Sequence, residues 1–226
     1  MIGLRLRVYL LKMRIATILV TRGKSCHVKT LHTILKFNLK CMQRGNTENE
    51  VVFVDDEPFE KAEMIYKYLK SHDRIFFVDF GISVDDNSLD RVFDKHDGLG
   101  CFVFPGVTEG IDWDMFKQKV KSGSKEPVEQ MGLHFDTKVS NKITEDVYNV
   151  TETSAKAWVM MNKNVIKNLK DKKNGAFKIH PRMKVMFTKF KDAGIKIHAY
   201  TASKLIMTYS HECVSNILSA AGVKAN

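Results

Sequence analysis

The sequence predicts an α/β domain built on a central, mostly parallel mixed β-sheet flanked by helices. Three observations carry that prediction. Short, strongly apolar runs of strand length recur through the first half, as in IATILV, VVFV, IFFV and CFVF. Stretches with helical spacing separate them. Apolar residues make up 44% of 226 residues, enough for a sizeable core, and no hinge-like tract divides the chain, so one domain is expected. Four prolines and thirteen glycines argue against a disordered or fibrous chain.

The elements follow in order. Residues 15–20 form the first strand, Thr21 to Ser25 a polar turn at its carboxyl end, and 28–41 a helix. VVFVDDEP repeats the device: a strand over 51–54, Asp55 and Asp56 at its tip, and Pro58 near the start of the next helix, where its missing N–H costs nothing. Ala62, Ile65, Tyr66 and Leu69 fall at helical spacing in that helix. A third strand, 75–78, ends at Asp79, Phe80 and Gly81. Ser83 or Asp85 then caps a helix whose apolar side is Leu89, Val92 and Phe93. A fourth strand, 101–104, runs into Pro105 and Gly106. In the second half GLHFDT, AWVMM and KIHAYT read as strands, and 111–121, 162–171, 182–192 and 210–220 as helices.

Lys and Arg number 36 against 26 Asp and Glu, so the chain is basic and suits a polyanion, an anionic surface or a phosphorylated small molecule. The excess concentrates between Lys156 and Lys196, where twelve Lys or Arg face only Asp171 and Asp192. Cys26, Cys41, Cys101 and Cys213 lie far apart, without zinc-site spacing, and read as free thiols in a reducing compartment. The opening MIGLRLRVYLLKMRIATILV is basic and apolar, but Arg5, Arg7, Lys12 and Arg14 interrupt it too often for a transmembrane span, and no signal-cleavage pattern follows. Met13 suits the start of the folded domain, with residues 1–12 an extension or lead-in to the first strand.

Ligands of open α/β sheets bind beyond the carboxyl ends of the strands, which brings together Thr21, Arg22, Asp55, Asp56 and Asp79. Walker A and G-x-G-x-x-G sequences are absent, which lowers the case for a P-loop ATPase or a dinucleotide-binding dehydrogenase. Strand-tip carboxylates can accept hydrogen bonds from ribose or a base, or hold a divalent cation against a diphosphate. Each also suits a turn or a helix cap, Asp56 and Asp85 among them.

IATILVTR, VVFVDDEP and RIFFVDFG together resemble the nucleotide-binding half of glycosyltransferases with the GT-A fold. The resemblance implies that Thr21, Arg22 and Asp55 or Asp56 contact the nucleoside of a UDP-sugar. It also implies that Asp79 is the first Asp of an Asp-x-Asp motif for Mn2+ or Mg2+. Gly81 stands where the second Asp belongs. GLGCFVFPGVTEGIDWDMFKQKV, EPVEQMGLHFDT, KAWVMM and AYTASKLIMTYSHEC are similar to the small glycosyltransferase domain of the chloroviruses, over nearly the whole chain. That likeness implies a soluble enzyme of the host cytoplasm that moves a sugar, rhamnose or glucose, onto an oligosaccharide or glycoprotein acceptor of the capsid. Residues 13–110 are then the nucleotide-binding half and 111–226 the donor-sugar and acceptor half.

The second half offers Glu109, Asp112 and Asp136 as candidate catalytic carboxylates, with Asp136, in MGLHFDT, the first choice for the base that takes the acceptor proton. Trp113 suits sugar stacking or ordinary helix packing. His211 is the candidate second metal ligand, and equally a structural histidine. Two other readings stand beside this one. A nucleic-acid-binding module fits the charge, but aromatic residues do not interleave with the basic ones and no binding signature is present. A sugar nucleotidyltransferase would use the same strand-tip carboxylates.

Overall fold

The computed structural model describes residues 12–95, 97–108, 110–170 and 175–208. Ten strands and six α-helices follow one another among them: β1 (Met13–Thr21), α1 (Val28–Arg44), β2 (Thr47–Asp55), α2 (Pro58–Ser71), β3 (Arg74–Val78), β4 (Ile82–Ser83), α3 (Asp86–Arg91), β5 (Leu99–Phe104) and α4 (Trp113–Lys121). Then come β6 (Thr137–Thr144), β7 (Val147–Thr153), β8 (Ala157–Met161), α5 (Asn162–Leu169), α6 (Met183–Asp192), β9 (Lys196–Tyr200) and β10 (Ile206–Met207).

Eight strands form one sheet in the order β2-β1-β3-β8-β5-β9-β7-β6, and β10 pairs with β4 in a small second sheet. β1 is parallel to both β2 and β3, and β5 is parallel to β9. β8 lies antiparallel between β3 and β5, so both neighbours still point the same way. The result is an α/β domain with a central mixed, largely parallel sheet flanked by helices, as the sequence predicts and consistent with a GT-A-like fold.

The near-continuous apolar strands are explained by burial on both faces. Alternation along β1 sends Ala16, Ile18 and Val20 to one core layer and Ile15 and Leu19 to the other. The first layer joins the sheet to α2, α5 and α6 and centres on Trp158, which stacks on Phe77 with ring centroids 4.8 Å apart. Phe77 and Trp158 are register partners across β3 and β8, so the stack fixes the antiparallel strand in the sheet centre. The second layer holds Phe37 of α1 against Phe76 and Phe93.

Helix starts follow the predicted chemistry. Pro58 opens α2 behind Glu57, whose side chain accepts from the Phe59 N–H. Asp85 caps α3 by accepting from the Asn87 and Ser88 N–H groups. The predicted strand over GLHFDT is a correction: Gly132–Asp136 is loop, with only an isolated bridge from Phe135 to Val107, and the strand begins at Thr137. The β6–β7 hairpin was not predicted. Seven of the eight β6 residues are exposed, and TKVSNKIT carries no apolar alternation to reveal it. The predicted helix over 210–220 and most of the 1–12 extension lie outside the described residues. No helix among the described residues is long and apolar enough to cross a membrane.

Candidate functional site

The carboxyl end of β1 meets that of β2 because the two strands run parallel, with Thr21 paired to Asp55. The Thr21 hydroxyl donates to Asp55 Oδ1 at 2.8 Å and lies 3.1 Å from the Val54 carbonyl. Thr21, Lys24, Cys26, Phe53, Val54, Asp55, Glu60 and Met64 surround an open cavity of about 360 Å³ at this corner. Its walls pair a carboxylate and a hydroxyl with an exposed aromatic face and a thioether, a lining suited to a planar base and a ribose.

The neighbouring Asp56 works differently. It accepts from Arg22 Nε at 2.8 Å and from Lys61 Nζ at 2.5 Å, so one carboxylate holds two cations. Burial opposes its charge, but the hydrogen bonds and charges of Lys61 and Arg22 prevail and hold its pKa below the ordinary carboxylate value. The Arg22 guanidinium also lies over the Phe80 ring, 5.0 Å from its centroid.

Asp79 follows β3, one strand along. Its backbone N–H donates to the Lys156 carbonyl at 2.8 Å, and its Oδ1 accepts from the Phe80 N–H at 2.9 Å. Burial raises its pKa, with Asp56 adding to the rise while the Phe80 N–H, Lys61 and Lys156 oppose it. Gly81 adopts φ +76°, and a Cβ there would meet the Thr208 carbonyl oxygen at 2.9 Å. The position expected to carry a second Asp is therefore one where backbone and neighbour both favour glycine.

Asp136 is brought to this edge by the end of β5. Its Oδ1 accepts from the Gly106 N–H at 3.1 Å and the Thr137 hydroxyl at 2.7 Å, and its own N–H donates to the Gly106 carbonyl. The residue is only 8% exposed, and Oδ2 is buried without a hydrogen-bond partner. Lys156, the residue before β8, also acts on this carboxyl, through its backbone and its charge. Burial raises the Asp136 pKa against the pull of Thr137, Gly106 and Lys156. A buried acceptor left unmatched costs free energy, which is a reason to expect a proton or a ligand hydroxyl there.

Thr21, Arg22, Asp55, Asp56, Asp79 and Asp136 thus share the carboxyl edge of the sheet. At about 4.8 Å per strand, β1 to β5 spans roughly 14 Å. Asp112 lies at the start of α4. It caps α4 by accepting from the Met115 N–H at 2.8 Å and pairs with His134 at 3.1 Å. Those two partners hold its pKa low. Trp113 begins α4 half-exposed, edge-on to Phe116. Glu109 and His211 lie outside the described residues. Sequence reading did not single out Lys61, Lys156 or Gly106. Lys61 was legible as a cation in the first turn after Asp-Asp-Glu-Pro, whereas Lys156 reaches this edge only because β8 runs antiparallel.

A divalent cation needs several oxygen or nitrogen donors. Among the described residues no group of three His, Cys, Asp or Glu converges for one. Lys61 and Lys156 act on the only strand-tip carboxylate assigned to a metal, Asp79. His211, the other expected ligand, lies outside the described residues.

No protein-family model matches the chain, and no curated protein does. Solved structures are similar to the chain at low identity, and two serve as examples. One is the inositol-1-phosphate CTP transferase from T. maritima, at 12% identity and a TM-score of 0.43, over 94% of this chain and 98% of that one. The other is GalNAc-T7 with UDP, GalNAc and Mn2+, at 11% identity and a TM-score of 0.43, over 88% of this chain. This chain spans 44% of the length of GalNAc-T7. At those values neither says what this chain binds.

Proposed function

We propose that the chain is a nucleotide-sugar-dependent glycosyltransferase acting on a hydroxyl of a glycan. The observation that carries this reading is the buried, unpartnered Oδ2 of Asp136 on the same sheet edge as the Thr21–Asp55 cavity and the Arg22–Asp56–Lys61 cluster. In this reading the nucleoside, with UDP the expected form, occupies the cavity, and Asp55 accepts from a base N–H or ribose hydroxyl. Arg22 and Lys61, held in place by Asp56, face the phosphates.

Asp136 takes the proton of the acceptor hydroxyl as its oxygen bonds to the anomeric carbon. The bond from that carbon to the diphosphate breaks, and the electron pair leaves with the diphosphate. Cations fixed before the reaction stabilise that charge better than mobile water does. Rhamnose or glucose as donor, and a glycoprotein glycan as acceptor, remain part of the proposal through the sequence resemblance alone.

Calorimetric titration with UDP and a panel of UDP-sugars tests the reading, followed by product analysis with an oligosaccharide acceptor. Saturable UDP binding and sugar-dependent UDP release support it. Pyrophosphate release from a nucleoside triphosphate and a sugar phosphate would instead identify a nucleotidyltransferase. Salt-sensitive oligonucleotide binding without nucleotide binding would overturn both.

A further inference from the structure

Helix α1 is apolar on two sides. Its inner face buries Ile34, Phe37 and Cys41 in the second core layer. Its outer face exposes Val28 (77%), Leu31 (40%), Leu35 (59%), Leu39 (54%) and Met42 (70%). At 3.6 residues per turn these five fall on one stripe about 21 Å long, nearly opposite the buried face. Single exposed apolar residues need no explanation, but a continuous row on one helix does.

The row has a further property. Its spacings are 3, 4, 4 and 3 residues, so it reads the same from either end, with Leu35 at its centre. A second α1 laid antiparallel about a two-fold axis at Leu35 would set Val28 against Met42, Leu31 against Leu39, and Leu35 against its own copy. Every apolar residue of the row then meets another, which is the self-complementarity a two-fold interface requires.

Lys36 pairs with Asp86, and Lys40 and Arg44 pair with Asp90, so these cations are matched within one copy and the apolar row is left to make the contact. A membrane surface would gain nothing from a row symmetric along its length. We infer that the outer face of α1 is the contact for a second copy of this chain, in an antiparallel, isologous dimer centred on Leu35. A single helix seam lies at the small end of specific interfaces, so the dimer is a weak one.

Sedimentation equilibrium of the full chain across about 1–300 μM is expected to show a reversible dimer. Leu35→Lys sets two like charges across the axis and is expected to weaken dimerisation at least tenfold, with the circular dichroism and Tm of the monomer unchanged because Leu35 lies outside the core. Register is read by oxidation: Leu35→Cys alone gives a disulfide-linked dimer above the wild-type background. Leu31→Cys alone does not, whereas a mixture of Leu31→Cys and Leu39→Cys does. A monomer at every concentration overturns the inference. So does a dimer that Leu35→Lys leaves intact, or self-linking of Leu31→Cys, which signals a parallel contact. Anionic vesicles binding the monomer through this face would assign it to a membrane instead.

Discussion

A Cβ placed on Gly106 would lie 3.2 Å from Asp136 Oδ2, the oxygen that is buried without a partner. Glycine at 106 therefore leaves the space in which that oxygen can meet a hydroxyl. Gly106→Ala requires the carboxylate to give by a few tenths of an ångström. The expected result is a loss of transfer on the order of tenfold with UDP affinity retained, measured by steady-state kinetics beside calorimetry.

Asp136→Asn removes the base and leaves the shape. Transfer is expected to fall about 10²- to 10⁴-fold while the donor still binds. Because burial raises the pKa of Asp136, its basic form is populated only above the ordinary carboxylate range. The wild-type rate should climb with pH through that raised value, and the Asn variant should lose this limb. The stability sign is the reverse. A raised pKa favours the neutral form in the fold, so this group's stabilisation is present at low pH and lost as pH rises through the folded value. Thermal melts at pH 7 should show the Asn variant no less stable than wild type.

Asp56→Asn releases the cations that Asp56 holds. Arg22 and Lys61 lose their shared charged acceptor, and UDP affinity is expected to drop on the order of tenfold, about 1.4 kcal/mol. Uridine, which lacks phosphates, should bind as before. An equal loss for both ligands in the titration would remove Arg22 and Lys61 from the phosphate site.

Gly81→Ala tests the turn that replaces a second acid. The left-handed backbone and the Thr208 carbonyl both oppose a side chain, at a cost of about 2 kcal/mol, or roughly 4–8 °C in Tm. Gly81→Asp should melt at least as early and restore no metal-enhanced binding, as calorimetry with and without Mn2+ would show.

Much of this edge was legible in the sequence because strand tips and caps obey local rules. Asp55 beside Thr21, Asp79 after IFFV, Pro58 at a helix start and Asp85 as a cap all stand where spacing places them. Other features depend on tertiary neighbours. GLHFDT has the composition of a strand but serves as the loop that carries Asp136 to Gly106, thirty residues away. Asp112, a catalytic candidate by composition, is satisfied by Met115 and His134 once α4 forms. The cation-holding role of Asp56 needed Lys61 on the first turn of α2. The exposed row on α1 was hidden because a helix apolar on two sides reads simply as a buried one.

The antiparallel β8 between β3 and β5 also governs how the chain assembles. When a ribosome has released the first 110 residues, β3 and β5 are both made, yet each lacks the neighbour that separates them in the finished sheet. Two central edges stay unpaired until some fifty more residues emerge. Closing contacts across such separations is slow, and open edges attract other chains. Nascent chains of this protein should depend on chaperone cover until Trp158 arrives to stack on Phe77, and a gene cut between β5 and β8 should yield insoluble fragments that recover only when refolded together.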